Sequence, residues 1–162
     1  MFILAPERDE DPQGAFARYA EYIRQESARF PPGARTLVTS SWYFSATDHR
    51  APHDAWLVSV AFEEAGTGSR GEERALALRV RLLGAYHDHE LEFFYPRVFA
   101  YVFEGRSVAL GHGDWRYDEL TLDRDGRLVH EIQWHGAGYR AAWVITANDV
   151  VFTSREVSSA PR

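Results

Sequence analysis

Leu76-Ala77-Leu78-Arg79-Val80-Arg81-Leu82-Leu83 decides the fold class. Leu76, Leu78, Val80 and Leu82 recur every second residue, with Arg79 and Arg81 between them. Successive side chains of a strand point to opposite faces, so this segment has one apolar and one charged face. The same period runs upstream through Trp56, Val58, Val60 and Phe62. Downstream it runs through His89, Leu91, Phe93 and Tyr95, where Pro96 predicts an end. Val98 to Phe103 reads as a further strand. Asp114 to Leu122 and Leu128 to Trp134 flank Arg124-Asp125-Gly126, a hairpin turn. Ala141 to Thr146 and Val150 to Arg155 predict a last hairpin about Ala147-Asn148-Asp149. Thr36 to Phe44, with its β-branched start, reads as an additional short strand.

One segment has the other period. Asp11 suits a helix N-cap and Pro12 a first helical position. Phe16, Tyr19, Ala20 and Ile23 then fall on one stripe, and Pro31-Pro32-Gly33 reads as a stop, which predicts a helix over 12–29. Short connections favour antiparallel neighbours. The expected fold is therefore mainly β within the α+β class: a single N-terminal helix packed on a curled antiparallel meander, or partly closed barrel, of about eight strands. Residues 1–162 read as a single domain, with 1–11 and 157–162 as loosely ordered termini.

Composition removes whole classes of chemistry. The 162 residues contain no cysteine, and all 18 basic residues are arginine. A thiol nucleophile, a disulfide framework, a thiolate metal site, a lysine Schiff base and a phosphate-loop lysine are thereby excluded. Gly66-x-Gly68-x-x-Gly71 has dinucleotide-binding spacing but lies between two strands, the wrong context. No Gly-x-Ser-x-Gly occurs. The formal charge of −6 argues against nucleic acid as a partner. The apolar start, Met1 to Leu4, is too short for a secretory signal, and no run approaches a membrane span, so a cytoplasmic protein is expected.

Seven histidines remain, most of them beside acids: Asp48-His49, His53-Asp54, His87-Asp88-His89-Glu90, His112-Gly113-Asp114 and His130-Glu131, with His135 apart. His87 and His89 are two apart, so on a strand both imidazoles would face one divalent metal; a solvated hairpin end is the plainer reading. Gly111-His112-Gly113-Asp114-Trp115 and Pro52-His53-Asp54-Ala55-Trp56 each place a polar pair at the mouth of a strand, before a large ring. His49, His53, Asp54, His112, Asp114 and Trp115 are thus the candidate binding residues; for the Gly111–Trp115 segment a structural turn, with Trp115 in the core, is the plainer reading. His130 shares a face with Leu128, Ile132 and Trp134, which predicts burial and a hydrogen-bond partner. Six rings between Phe93 and Phe103 call for cover on both faces of the sheet, and burial is expected for them.

Two functions are compatible with this reading. The first is a non-enzymatic binding module of immunity or inhibitor type, whose acidic surface meets a protein partner with a basic surface. The second is a small ligand-binding or metal-dependent β-barrel enzyme using His/Asp residues at strand ends. Convergence of His49, His53, His87, His89 and His112 on one cavity discriminates between them.

Overall fold

The computed structural model describes residues 2–70, 73–104, 111–136 and 139–157. Two helices, α1 (Pro12–Glu26) and α2 (Pro32–Val38), precede seven strands. These are β1 (Ala55–Thr67), β2 (Glu73–Leu83), β3 (His89–Phe103), β4 (Asp114–Leu122), β5 (Leu128–Gly136), β6 (Tyr139–Ala147) and β7 (Val151–Glu156). All pairings are antiparallel and make one sheet in the order β2-β1-β4-β5-β6-β3-β7; an additional β2–β3 pairing bends it into a ring. The mainly β, curled antiparallel architecture expected from the alternating pattern is therefore the one observed.

Three local expectations are corrected. Residues 36–44 are not a strand: Pro32 occupies the first turn of α2, and the chain then passes through turns to Tyr43. The missing signal was the cap. Asp149 accepts from the backbone N–H groups of Gly33 and Ala34 at 3.0 and 2.9 Å, so the N-cap carboxylate is supplied from more than a hundred residues away. A Cβ on Gly33 would lie 2.0 Å from the Val150 carbonyl oxygen, so only glycine permits this approach.

The expected last hairpin is absent as well. Val98 pairs with Leu76 of β2 and Ala147 of β6, so β6 lies on the edge of β3 away from β2. β7 continues along that same edge, with Val151 opposite Phe94. Residues 148–150 interrupt one long antiparallel line; they do not reverse it. Asn148 N–H donates to the Arg97 carbonyl while its side-chain oxygen accepts from Arg97 N–H. Opposite this break stands Pro96, which does not end β3 either: it sits beside the irregularity where β3 changes partner, a place that tolerates a missing donor.

The ring closes poorly at one seam. Among the described residues β1 meets β4 through Ala55–Trp115 and Trp56–Asp114 alone, and no other described strand pairs along the rest of that β4 edge. Helix α1 fills the gap with tyrosine hydroxyls. Tyr19 Oη donates to the Leu120 carbonyl at 3.0 Å and accepts from Leu120 N–H at 2.8 Å, as an opposing residue of a ladder would. Tyr22 Oη accepts from Leu122 N–H at 3.0 Å. Residues 2–9, part of the expected loose end 1–11, lie alongside. Ile3 is buried, and Phe2 and Ile3 N–H donate to the buried Glu119 carboxylate at 2.9 Å each. Glu119 stands directly opposite Glu131, so these donors supply charge compensation where two carboxylates meet across a ladder. Burial, then the Glu119 charge, pushes the Glu131 carboxyl above its usual range. Residue 157 is half-buried, and 158–162 of the other expected loose end lie outside the described residues.

This closure predicts a specific cost. Tyr19→Phe leaves a buried N–H and a buried C=O without partners, and is expected to destabilise by about 2–4 kcal/mol; Tyr22→Phe, at a half-buried position, by about 1 kcal/mol. Chemical denaturation at constant m-value checks both. Equal, near-zero effects would mean that water serves the β4 edge as well as the helix does.

Candidate functional site

The interior of the ring is filled, and a polar network stands at its centre. An irregularity in the β4–β5 register between Trp115 and Tyr117 turns both Trp115 and Asp118 inward, three residues apart where a regular strand would need two or four. Trp115 Nε1–H donates to Asp118 Oδ1 at 2.9 Å. Tyr43 O–H donates to Asp118 Oδ2 at 2.7 Å, and His130 Nε2 lies 3.1 Å from the same oxygen. His130 Nδ1 lies 2.7 Å from Tyr95 Oη. A carboxylate only accepts, so the ring proton belongs on Nε2, and Nδ1 accepts from Tyr95 O–H. His130 and Tyr95 are fully buried, as the face shared with Leu128, Ile132 and Trp134 predicts for the histidine. Burial, reinforced by the Asp118 charge, pushes the Tyr43 and Tyr95 hydroxyls far up, so both remain neutral donors. Tyrosine, histidine and aspartate stand here in relay order, yet every polar atom is occupied by another and Trp115 and Phe93 cover the histidine ring. The network is a structural device: it holds the segment carrying Tyr43 against the sheet.

The sequence-derived site residues separate into several places. His49 joins Asp88 and His89 at the turn between β2 and β3: His49 Nδ1 donates to Asp88 Oδ2 at 2.6 Å and His89 Nδ1 to Asp88 Oδ1 at 2.9 Å. These bonds hold the Asp88 carboxyl below its usual range. His87 does not share this cluster; at φ 58° it turns away and packs on Trp56, ring centroids 4.3 Å apart. The expected His87–His89 pair is therefore replaced by His49 and His89, because His87 lies in a left-handed turn before the strand begins.

His53 and Asp54 stay together and gain Arg116: His53 Nδ1 is 3.0 Å from Asp54 Oδ2, and Arg116 Nη1 donates to Asp54 Oδ1 at 2.8 Å. His53 and Arg116 border a small cavity of about 40 Å³ also lined by Tyr43, Tyr117 and Asp118. His112 lies elsewhere, edge-on to Trp134 at 4.4 Å and to Trp143 at 4.9 Å. Asp114, half-buried, lines a shallow pocket of about 330 Å³ with His112, Trp56 and Leu57. Trp115 is fully buried and belongs to the core, so it has no surface to offer a ligand.

Sequence reasoning missed one surface. Phe93 and Tyr95 are buried as expected, but Tyr101 is 48% exposed and Phe62 42%. Their cross-strand partners Ile145 and Leu78 are fully buried, so both rings sit on the inner face of the ring where it opens. Phe62 packs on Tyr101 at 4.7 Å, Phe103 on Trp143 at 4.2 Å, and Trp143 on Trp134 at 4.9 Å. Aromatic packing thus runs from solvent to the core. Trp134 Nε1–H, buried, has no hydrogen-bond partner among the described residues. Period-two alternation placed these rings on a face but carries no information on where along the strand that face stops being covered.

Comparison with protein-family models, curated proteins and solved structures gave no match. Among the described residues no helix is long and apolar enough to cross a membrane.

His112 provides a pH test of this packing. Desolvation against the tryptophans lowers its pKa from 6.5, so below that pH the unfolded chain binds more protons than the folded one. Stability is expected to fall as pH drops through about 6.5 and to level once the folded-state pKa is passed. His112→Leu should remove that component, read as a flatter Tm profile between pH 7 and 5. An unchanged slope in the variant would place His112 in water.

Proposed function

We propose that the protein is a non-enzymatic binding module of immunity or inhibitor type, resident in the cytoplasm, which acts by occupying a protein partner with a basic surface. One observation carries this reading: the aromatic mouth formed by the exposed Phe62 and Tyr101 with the half-buried Phe103, seated on Trp143. Large rings that are exposed yet already packed on each other lose little side-chain entropy on docking, which is why aromatic anchors dominate interface energetics. Glu63 and Glu64 follow Phe62, and Glu104 follows Phe103; all three are exposed. Glu63 and Glu64 make ion pairs with Arg79 and Arg74 at 3.3 and 3.0 Å, surface contacts that an incoming arginine can exchange. Glu64 lies two residues on from Phe62 and shares its strand face, whereas Glu63 points to the outer face with Arg79, so such a partner would meet rings suited to cation–π contact beside the Glu64 carboxylate. The net charge of −6 acts in the same sense, speeding encounter with a basic protein.

The enzyme reading required the histidines of the strand ends to share one cavity. Of the five, His49 and His89 come together while His53, His87 and His112 stand in other places, and the buried Asp118–His130 relay has its atoms engaged with each other.

The experiment is affinity capture from the source lysate with the wild type and a Phe62→Ala/Tyr101→Ala variant in parallel. The expected result is a protein of high isoelectric point, retained by the wild type, weakened by salt and lost at least tenfold from the double variant. Capture of the same proteins by both, or of none with a basic surface, overturns the proposal.

A further inference from the structure

His49, Asp88 and His89 form a cluster that the binding reading does not use. The three come from two segments: His49 from the loop between α2 and β1, Asp88 and His89 from the β2–β3 turn. One ligand atom from each lies within 4.8 Å of the others. We propose that these residues hold a divalent transition metal of the zinc class. The donor set argues for that class: two imidazoles and one carboxylate suit zinc and its neighbours, whereas calcium and magnesium seek more oxygen ligands than this site offers. Three protein ligands leave further coordination positions open to water or to a partner's side chain.

The site is built rather than incidental to a flexible surface. The His49 ring stacks flat on Tyr86, centroids 4.0 Å apart and planes 8° from parallel, and Tyr86 O–H donates to the Ala46 carbonyl at 3.3 Å. Val157 N–H donates to the Asp88 carbonyl at 2.7 Å, and Gly84 N–H to that of His89 at 2.9 Å. A Cβ on Gly84 would lie 3.3 Å from the His49 carbonyl oxygen and 3.4 Å from that of His89, so the two segments are held close by a residue without a side chain. Such partners orient ligands before an ion arrives. In the metal-free arrangement Asp88 accepts from both rings. An entering ion takes the place of the two Nδ1 protons, and each ring that binds it as a neutral ligand carries its single proton on Nε2, exchanged there through water. Exposure is graded, with the His49 side chain 47% accessible, Asp88 38% and His89 15%, which leaves a path for the ion. The ion staples the loop that follows Tyr43 to the sheet, so binding stabilises the fold by mass action.

The test is titration of the untagged full-length chain with cobalt(II), read by its visible absorption, with zinc as competitor. The expected result is saturation at one ion per chain and displacement by zinc. Affinity should fall at least tenfold in His49→Ala, Asp88→Asn and His89→Ala, and stay unchanged in His87→Ala. Tm should rise by roughly 5–10 °C at a hundredfold excess of zinc over Kd. If His89→Ala lowers the stability of the metal-free protein, His49→Gln, on the exposed side, reads the same loss. Absence of one-to-one saturation, wild-type affinity in the His49 and His89 variants, or an equal loss in His87→Ala overturns the proposal.

Discussion

The Asp118 carboxylate is the constraint around which this protein is organised. A buried charge is tolerated only when its oxygens are taken by donors. Three arrive here from three places in the chain: the indole of Trp115 from the same strand, the imidazole of His130 from β5 and the hydroxyl of Tyr43 from the segment after α2. Each needs a distinct backbone device. The β4 irregularity turns Trp115 and Asp118 inward together. Cross-strand register brings His130 alongside, and Tyr95 fixes its tautomer. Asp149 caps α2 and so fixes the point from which the chain proceeds to Tyr43. Removing one donor leaves the others partly satisfied, which is the most costly state for a buried polar group.

The same economy explains how a ring with a defective seam remains one folded unit. β4 has a strand partner along only two residues on its outer side, yet its backbone groups are met by Tyr19 and Tyr22 from α1. A tyrosine suits this role because its ring belongs in the core while its hydroxyl both donates and accepts. With the seam closed, the aromatic mouth stands at one opening and the His49–Asp88–His89 cluster at the β2–β3 turn, with His53, Asp54 and Arg116 together at a third place. The charged outer face of β2 and β3 is mostly self-paired, with Arg79 on Glu92 and Arg81 on Glu90.

Much of the fold was legible because period-two alternation is a local signal. The apolar sets of β2, β5 and the first half of β3 lie where the pattern puts them, and Asp11-Pro12 opens α1, with Asp11 accepting from Gly14 N–H at 2.9 Å. What escaped is non-local. Pro31-Pro32-Gly33 reads equally as a stop or a start, and the carboxylate that decides it is Asp149. Ala147-Asn148-Asp149 has hairpin composition, but the edge of β3 continues to pair past it. The site residues follow the same rule. His53 and Asp54 are neighbours in sequence and stay together, whereas His49 finds His89 only because the ring closes. His87 leaves the expected pair through a single backbone angle.

The central claim is that the Asp118–His130 network of the interior is sealed and structural. Hydrogen exchange of the Trp115 indole N–H, followed by NMR, tests it most directly. The account predicts exchange through global unfolding alone, with an opening free energy equal to the stability measured by denaturant. Exchange orders of magnitude faster than that, under conditions where the fold is intact, would contradict the account, because water would then reach Asp118 and His130 in the native state.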